Sequence, residues 1–148
     1  MQLKIKTPVA GNYRNVFAGF DDSLLMKLTP PGMKMNLLHS DPPEMPGGRI
    51  RLKVTIMGII HQDWENEFSG YELKEDECHF VDTGIKLPFP MTYWRHDHRV
   101  LRDGDNTLIL DDIEYKCGFF LLEWLLYPIL WAQFRYRRPI YRRHFGTR

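Results

Sequence analysis

The stretch FFLLEWLLYPILWAQF, residues 119–134, constrains the fold of this chain more than any other. It is apolar on nearly every side, yet Glu123 and Pro128 interrupt it. It also falls short of the roughly 20 residues that span a bilayer. The pattern predicts a long helix from about residue 119 onward, apolar all round and therefore in need of burial on more than one side. What it packs against must come from the preceding residues, and those read mostly as strands.

Leu3 and Ile5 alternate with Gln2, Lys4 and Lys6, the signature of a half-buried strand. Tyr13, Val16, Phe17 and Phe20 then recur at i, i+3, i+4 and i+7, which predicts a short amphipathic helix. Asp21, Asp22 and Ser23 can cap a second helix running through Leu28, and LTPPG (28–32) stops it. Strands follow at 33–40, 49–57, 59–70, 77–83, 91–101 and 107–116, separated by turn signals such as DPPEMPGG (41–48) and RDGDN (102–106). In 49–57, Ile50, Leu52, Val54 and Ile56 alternate with Arg49, Arg51, Lys53 and Thr55; in the next strand Ile60, Trp64 and Phe68 share a face.

An antiparallel sheet of this size must cover one face, and the C-terminal helix is the one predicted element long enough to do it. The expectation is a single α+β domain over 1–148: a curved sheet of about seven strands around a long C-terminal helix, with two short helices between strands 1 and 2. Such a sheet leaves a hollow beneath the helix, and Trp64, Phe68, Phe80 and Trp94 point into it by alternation. The 84–90 loop, GIKLPFP, is a candidate lid. On the helix, Leu122, Leu125, Ile129 and Tyr136 are assigned to the sheet side. Trp124 and Trp131, with Tyr127, fall on a different face; either the two short helices or the 41–48 loop cover part of it, or it predicts a homodimer or a membrane-surface contact. Pro139 is expected to kink or end the helix.

Composition sets the outer bounds. Over 148 residues, 43% hydrophobic and 26% charged content fits an ordinary globular chain, and a net charge of +1 gives no global field to recruit nucleic acid or membrane. Aromatics reach 14%, and aromatic-rich interiors often surround apolar ligands. Cys78 and Cys117 form no CxxC pair and read as reduced thiols of a cytoplasmic protein. MQLKIKTPVA lacks the apolar run of a signal peptide. The C-terminal RYRRPIYRRHFGTR (135–148) holds six arginines and no acid. It reads either as a solvated helix end favoured by the helix dipole or as a contact for anionic lipid or polyphosphate. The patch is too short, and the remaining chain too acidic, for a nucleic-acid partner.

The chemistry concentrates in YWRHDHRV (93–100). On a strand, Trp94, His96, His98 and Val100 share the inward face; Asp97 falls with the charged residues and is expected in solvent. If Asp103 and Gly104 form a two-residue hairpin loop, His96 lies opposite Asp111; a four-residue loop sets His98 there instead. Either way Asp111, sharing its face with Ile109, Ile113 and Tyr115, meets an inward histidine. Asp82, on the face of Phe80, needs a partner that the sequence does not name. Three readings of His96, His98 and Asp111 stand: a satisfied polar network in an apolar pocket, an acid–base group acting on a carbonyl compound, or two histidines and a carboxylate around a metal. The metal reading lacks a fourth ligand, so neither metal nor other cofactor is expected. The ligand-binding set is Trp64, Phe68, Phe80, Trp94, His96, His98, Asp111 and Tyr115.

Several segments resemble a known group: NVFAGFDDSLLMKLTPPG (15–32), Trp64, FVD (80–82), PFPMTYWRHDHRV (88–100), LDDIEY (110–115) and FRYRR (134–138). In this order they are similar to the helix-grip fold of the START and birch-pollen-allergen superfamily (SRPBCC), in particular its bacterial ligand-binding and polyketide cyclase/dehydrase-like members. The resemblance implies a cavity for a lipid-like, polyketide-like or steroid-like molecule. It also implies, as the alternative, a cyclase/dehydrase using His96, His98 and Asp111 as acid and base. A membrane-surface lipid-handling module led by the arginine run is a third possibility.

Overall fold

The computed structural model describes residues 1–147; Arg148, the last arginine of the basic run, lies outside the described residues. The chain order is β1 (Gln2–Val9), α1 (Tyr13–Ala18), α2 (Asp22–Lys27), β2 (Met33–Ser40), β3 (Arg49–Ile56), β4 (Ile60–Leu73), β5 (Glu77–Lys86), β6 (Met91–Asp103), β7 (Asn106–Cys117) and α3 (Phe120–Phe145). Among the described residues the strands form one antiparallel sheet, ordered β1-β7-β6-β5-β4-β3-β2. This is the helix-grip architecture predicted from the sequence. Consecutive strands pair as hairpins from β2 to β7, while β1 returns to pair with β7 and leaves α1 and α2 to bridge towards β2.

Both short helices start where polar side chains can satisfy their free N–H groups. Asn12 accepts from the Arg14 amide and Asp21 from the Leu24 amide, each at 2.9 Å. The β6–β7 hairpin does not use the Asp103-Gly104 loop but has the other register considered, with His98 opposite Asp111, reached through a two-residue and not a four-residue loop. Asp103 pairs with Asn106, so the loop is Gly104-Asp105, and the positive φ sits on Gly104 alone. Glycine at the first loop position suits a type II′ connection, which here outcompetes the expected Asp-Gly turn. The register moves by two residues, so every side chain keeps its face.

Two apolar clusters lie between sheet and helix. One joins Val9, Tyr13, Phe17, Leu24, Phe68, Phe80, Val100, Ile109 and Tyr141. The other joins Leu3, Ile5, Trp94, Ile113, Tyr115, Leu130 and Phe134. α3 contributes to both through Leu130, Phe134 and Tyr141, spaced four and seven residues apart, with Leu126 and Tyr127 partly buried beside them.

This overturns the predicted helix face. Leu125, Ile129 and Tyr136 are exposed, at 60%, 54% and 39%. An apolar residue on every side of the segment leaves no polar stripe to show which way it faces. Pro139 and Pro128 also sit inside a continuous helix. Both lie on its outward face, where water can satisfy the carbonyls they leave unbonded. Asp97 needs correction too. It does lie on the face opposite the histidines, but it is 9% exposed and meets Nδ1 of His79 at 2.9 Å.

The observed helix face makes a direct prediction. Leu130→Ala should destabilise the protein by about 2–5 kcal/mol, whereas Ile129→Ala should stay within about 0.5 kcal/mol. Denaturant titration of the two variants checks this; equal losses would mean the helix is rotated from the described orientation.

Candidate functional site

Alternation along the central strands builds the site. On β6 the inward residues run Trp94, His96, His98, Val100; on β7 they run Tyr115, Ile113, Asp111, Ile109. Trp94, Tyr115 and Ile113 belong to one apolar cluster, Val100 and Ile109 to the other. The polar residues therefore fall on the seam between two apolar clusters.

Across that seam the carboxylates and imidazoles pair diagonally. His98 is opposite Asp111 in register and His96 opposite Asp82, yet the side chains cross. His96 Nε2 meets Asp111 Oδ1 at 2.9 Å, and His98 Nε2 meets Asp82 Oδ2 at 2.6 Å. The histidine rings lie 3.6 Å apart between centroids, and Phe80 stacks on the far side of His98 at 4.2 Å. Phe134 closes the stack edge-on against His96 at 5.2 Å.

Each acid is held from behind. Asp82 Oδ1 accepts from the Asn66 amide at 2.8 Å and from the Trp94 indole at 3.2 Å. The Tyr141 hydroxyl reaches Asp111 Oδ1 at 3.5 Å, and the Arg137 guanidinium lies 4.0 Å from the same oxygen. Asp111 Oδ2 and His98 Nδ1 are buried with no partner among the described residues.

The electrostatics follow from burial and pairing. Burial alone would raise both carboxyls. Burial is the largest single effect, but at Asp82 the hydrogen bond and charge of His98 with His96 and the Trp94 indole together outweigh it. At Asp111 His96, Arg137 and His98 together do, so both sit below the usual range. Burial, with His98 alongside, lowers His96 to about 4 against the pull of Asp111. At neutral pH His96 is thus a neutral ring facing an ionised Asp111. A carboxylate only accepts, so Nε2 carries the proton and Nδ1 is left as an acceptor. Burial next to Asp111 also drives the Tyr141 phenol upward, so it stays protonated.

This group forms one end of a cavity of about 730 Å³. Trp64, Phe68, Phe80, Trp94, His96 and His98 all line it, as do Asp82, Asn66, Phe134, Arg137 and Tyr141. Its far walls are α1, α2 and the start of the β2–β3 loop, including Phe20, Leu24, Leu28 and residues 40–44, together with Leu52 of β3. Of the predicted set, Asp111 stands behind His96, outside the lining. Tyr115 lies apart, fully buried in the second cluster, its hydroxyl donating to the Glu123 carbonyl at 2.7 Å. The 84–90 loop does not border the cavity; the 40–44 segment does.

The residues missed by sequence reasoning had uneven signals. Asp82 was recognisably inward, and its partner depended on the β5–β6 register. Arg137 and Tyr141 sat in the basic run and carried no inward mark at all. As a metal set, the ligand atoms that gather within 4.8 Å come from Asp82, His96 and His98, so Asp82 takes the place expected of Asp111. The same atoms are also satisfied as a proton network, each carboxylate facing a ring nitrogen.

No protein-family model matches the sequence, and no curated protein matches it. Solved structures do match the fold. Protein Ms6760 from Mycobacterium smegmatis superposes with a TM-score of 0.71 at 14% identity, covering 99% of this chain and 91% of that one. A point mutant of norcoclaurine synthase from Thalictrum, in complex with a transition-state analogue, gives 0.64 at 14% identity over 97% and 95%. The di-domain ARO/CYC StfQ of the steffimycin biosynthetic pathway gives 0.66 at 12% identity, over 97% of this chain and 51% of that one. At these identities the likeness shows the fold: this chain has the helix-grip fold of those proteins. Among the described residues, no helix is long and apolar enough to cross a membrane.

The lowered His96 predicts a pH dependence. The unfolded ring binds its proton near 6.5 and the folded ring only near 4, so the unfolded state takes up the proton first as pH falls. Stability from this group is complete above about pH 6.5 and fades towards pH 4, by up to about 3 kcal/mol. Urea titrations across that range should show the loss in the wild type and a much flatter profile in His96→Gln. An equally steep profile in the variant would place the proton uptake elsewhere.

Proposed function

We propose that this protein binds an amphipathic small molecule in the cavity, its apolar body among the aromatic and aliphatic walls and its oxygen-bearing head on the histidine seam. One observation carries the reading: an apolar hollow of about 730 Å³ that ends on the polar group of His96, His98 and Arg137. That volume falls in the range of small-molecule sites, which are mostly apolar with a few placed polar groups. Burying a ligand's apolar surface stabilises the complex by about 25 cal/mol per Å².

The seam also favours one kind of head group. Asp82 and Asp111 are both ionised, so a ligand carboxylate arriving beside them would meet like charge. A hydroxyl can donate to His96 Nδ1 and a carbonyl can accept from the Arg137 guanidinium. The preferred ligand is therefore a neutral alcohol or ketone of lipid-like, polyketide-like or steroid-like body. Displacement of a fluorescent apolar probe tests this. A long-chain alcohol or a steroid ketone should compete more strongly than a fatty acid of equal length, and Leu52→Trp, which fills the hollow beside Trp64, should abolish probe binding. Failure of the wild type to bind the probe, or undiminished binding by Leu52→Trp, would contradict the proposal.

The His96–Asp111 pair supports a second reading, acid–base catalysis on a bound carbonyl compound. A ring oriented by a carboxylate at Nε2 and offering Nδ1 to a cavity is arranged as a general base. The two readings separate in the His96→Asn, His98→Asn double variant. Binding alone predicts probe affinity within about tenfold of wild type, since a couple of hydrogen bonds change. Catalysis predicts at least about a hundredfold loss of turnover on a polyketide-like ketone, with probe affinity retained.

A further inference from the structure

The outer face of α3 is not used by the cavity. Trp124, Pro128, Trp131, Arg135, Arg138 and Arg142 follow one another at spacings of four and three, which sets them in a single stripe along the helix, about a quarter turn round from Leu130, Phe134 and Tyr141. The first half of that face is apolar and exposed: Phe120 is 75% exposed, Leu121 59%, Trp124 63% and Trp131 41%. The second half is cationic. Arg135, Arg138, Arg142 and Arg143 line a shallow hollow with Pro139 and Thr147. Among the described residues none of these four arginines forms an ion pair, and the Nε atoms of Arg138 and Arg142 are buried without a partner. The two halves are continuous, since the Arg135 guanidinium stands over the Trp131 ring at 5.1 Å.

We propose that this face docks on the surface of an anionic phospholipid bilayer, with Phe120, Leu121, Trp124 and Trp131 entering the headgroup–acyl boundary and the arginines contacting lipid phosphates. Charge decides among occupants. A second copy of the chain presents the same face, whose one carboxylate on α3, Glu123, is turned to the Cys117 amide. A symmetric dimer would thus put eight arginines into one interface with no α3 carboxylate to pair them. A free phosphate would satisfy the guanidinium groups and leave the aromatics in water. An anionic bilayer supplies both an apolar layer for the tryptophans and phosphates for the arginines, the pattern of helices that lie in the interface. The helix is held parallel to that surface by its buried stripe, which stays in the protein. Docking is independent of the cavity reading, because the two use different side chains of α3.

Sedimentation with vesicles tests it, using the full chain and vesicles of equal parts phosphatidylglycerol and phosphatidylcholine, with pure phosphatidylcholine in parallel. The protein should partition to the anionic vesicles, more weakly at high salt, and much less to phosphatidylcholine. Arg138→Gln with Arg142→Gln should lower the partition about twenty-five-fold, at about fivefold per arginine. Trp124→Ser with Trp131→Ser should lower it at least about tenfold. These positions are on the surface, and unchanged melting temperatures will show that both variants fold. The proposal is overturned by any of three results: no sedimentation with anionic vesicles, equal binding to both vesicle types, or inorganic phosphate raising the melting temperature of a protein that ignores vesicles. A concentration-dependent dimer by light scattering that Trp124→Ser with Trp131→Ser abolishes, without vesicle binding, overturns it in favour of the second copy.

Discussion

The crossed pairing of His96 with Asp111 and His98 with Asp82 is the interaction on which the interior depends. Burying two carboxylates and two imidazoles between apolar clusters is tolerable only when each charge finds a partner. The pairs supply this across three adjacent strands, β5, β6 and β7, with Asn66 reaching in from β4 and Tyr141 and Arg137 from α3. Sheet and helix are thereby tied at the same point where the two apolar clusters meet. The seam is not saturated: Asp111 Oδ2 and His98 Nδ1 are buried without a partner among the described residues, and His96 Nδ1 is left as an acceptor on a ring that lines the hollow. Hydrogen-bonding capacity left over at the end of an apolar hollow is what a binding site needs, and a core packed for stability alone would have no use for it.

α3 explains why one helix can serve two purposes. Its inner stripe belongs to the clusters and to the seam; its outer stripe belongs to neither. A helix apolar over most of its circumference is costly to leave in water. The change from aromatic to arginine along the outer stripe gives that exposed face a direction, apolar at one end and cationic at the other. The inner and outer stripes share a backbone but no side chains, so selection can shape the cavity and the surface separately.

Much of the fold was legible because faces depend only on parity. Leu52, Val54, Trp64, Phe68, Trp94 and both seam histidines were assigned inward from alternation alone, and the two hairpin registers considered, two residues apart, give every one of them the same face. What parity does not carry is which inward residues touch. Asp82 was seen to point inward, but its bond to His98 depends on how β5 meets β6 across residues 87–90, where no tight turn fixes the offset. Tyr115 was grouped with the seam because it shares a face with Asp111. Four residues along a strand is more than 12 Å, though, enough to carry it into the other cluster. On α3 the method failed for a different reason: with no polar side to the segment 119–134, Leu125 and Ile129 were as plausible for the interior as Leu130 and Phe134. Arg137 and Tyr141 were hidden by composition, two inward residues within an arginine-rich tail whose other members face out.

The claim most exposed to test is that the seam holds a neutral His96 with its proton on Nε2, facing an ionised Asp111. Nitrogen-15 NMR of the histidine rings reports this directly, since the protonated and bare ring nitrogens resonate far apart. The account predicts that His96 shows a protonated Nε2 and a bare Nδ1 at pH 7 and stays in that form until the pH approaches about 4. A doubly protonated His96 at pH 7, or a ring with its proton on Nδ1, would contradict it.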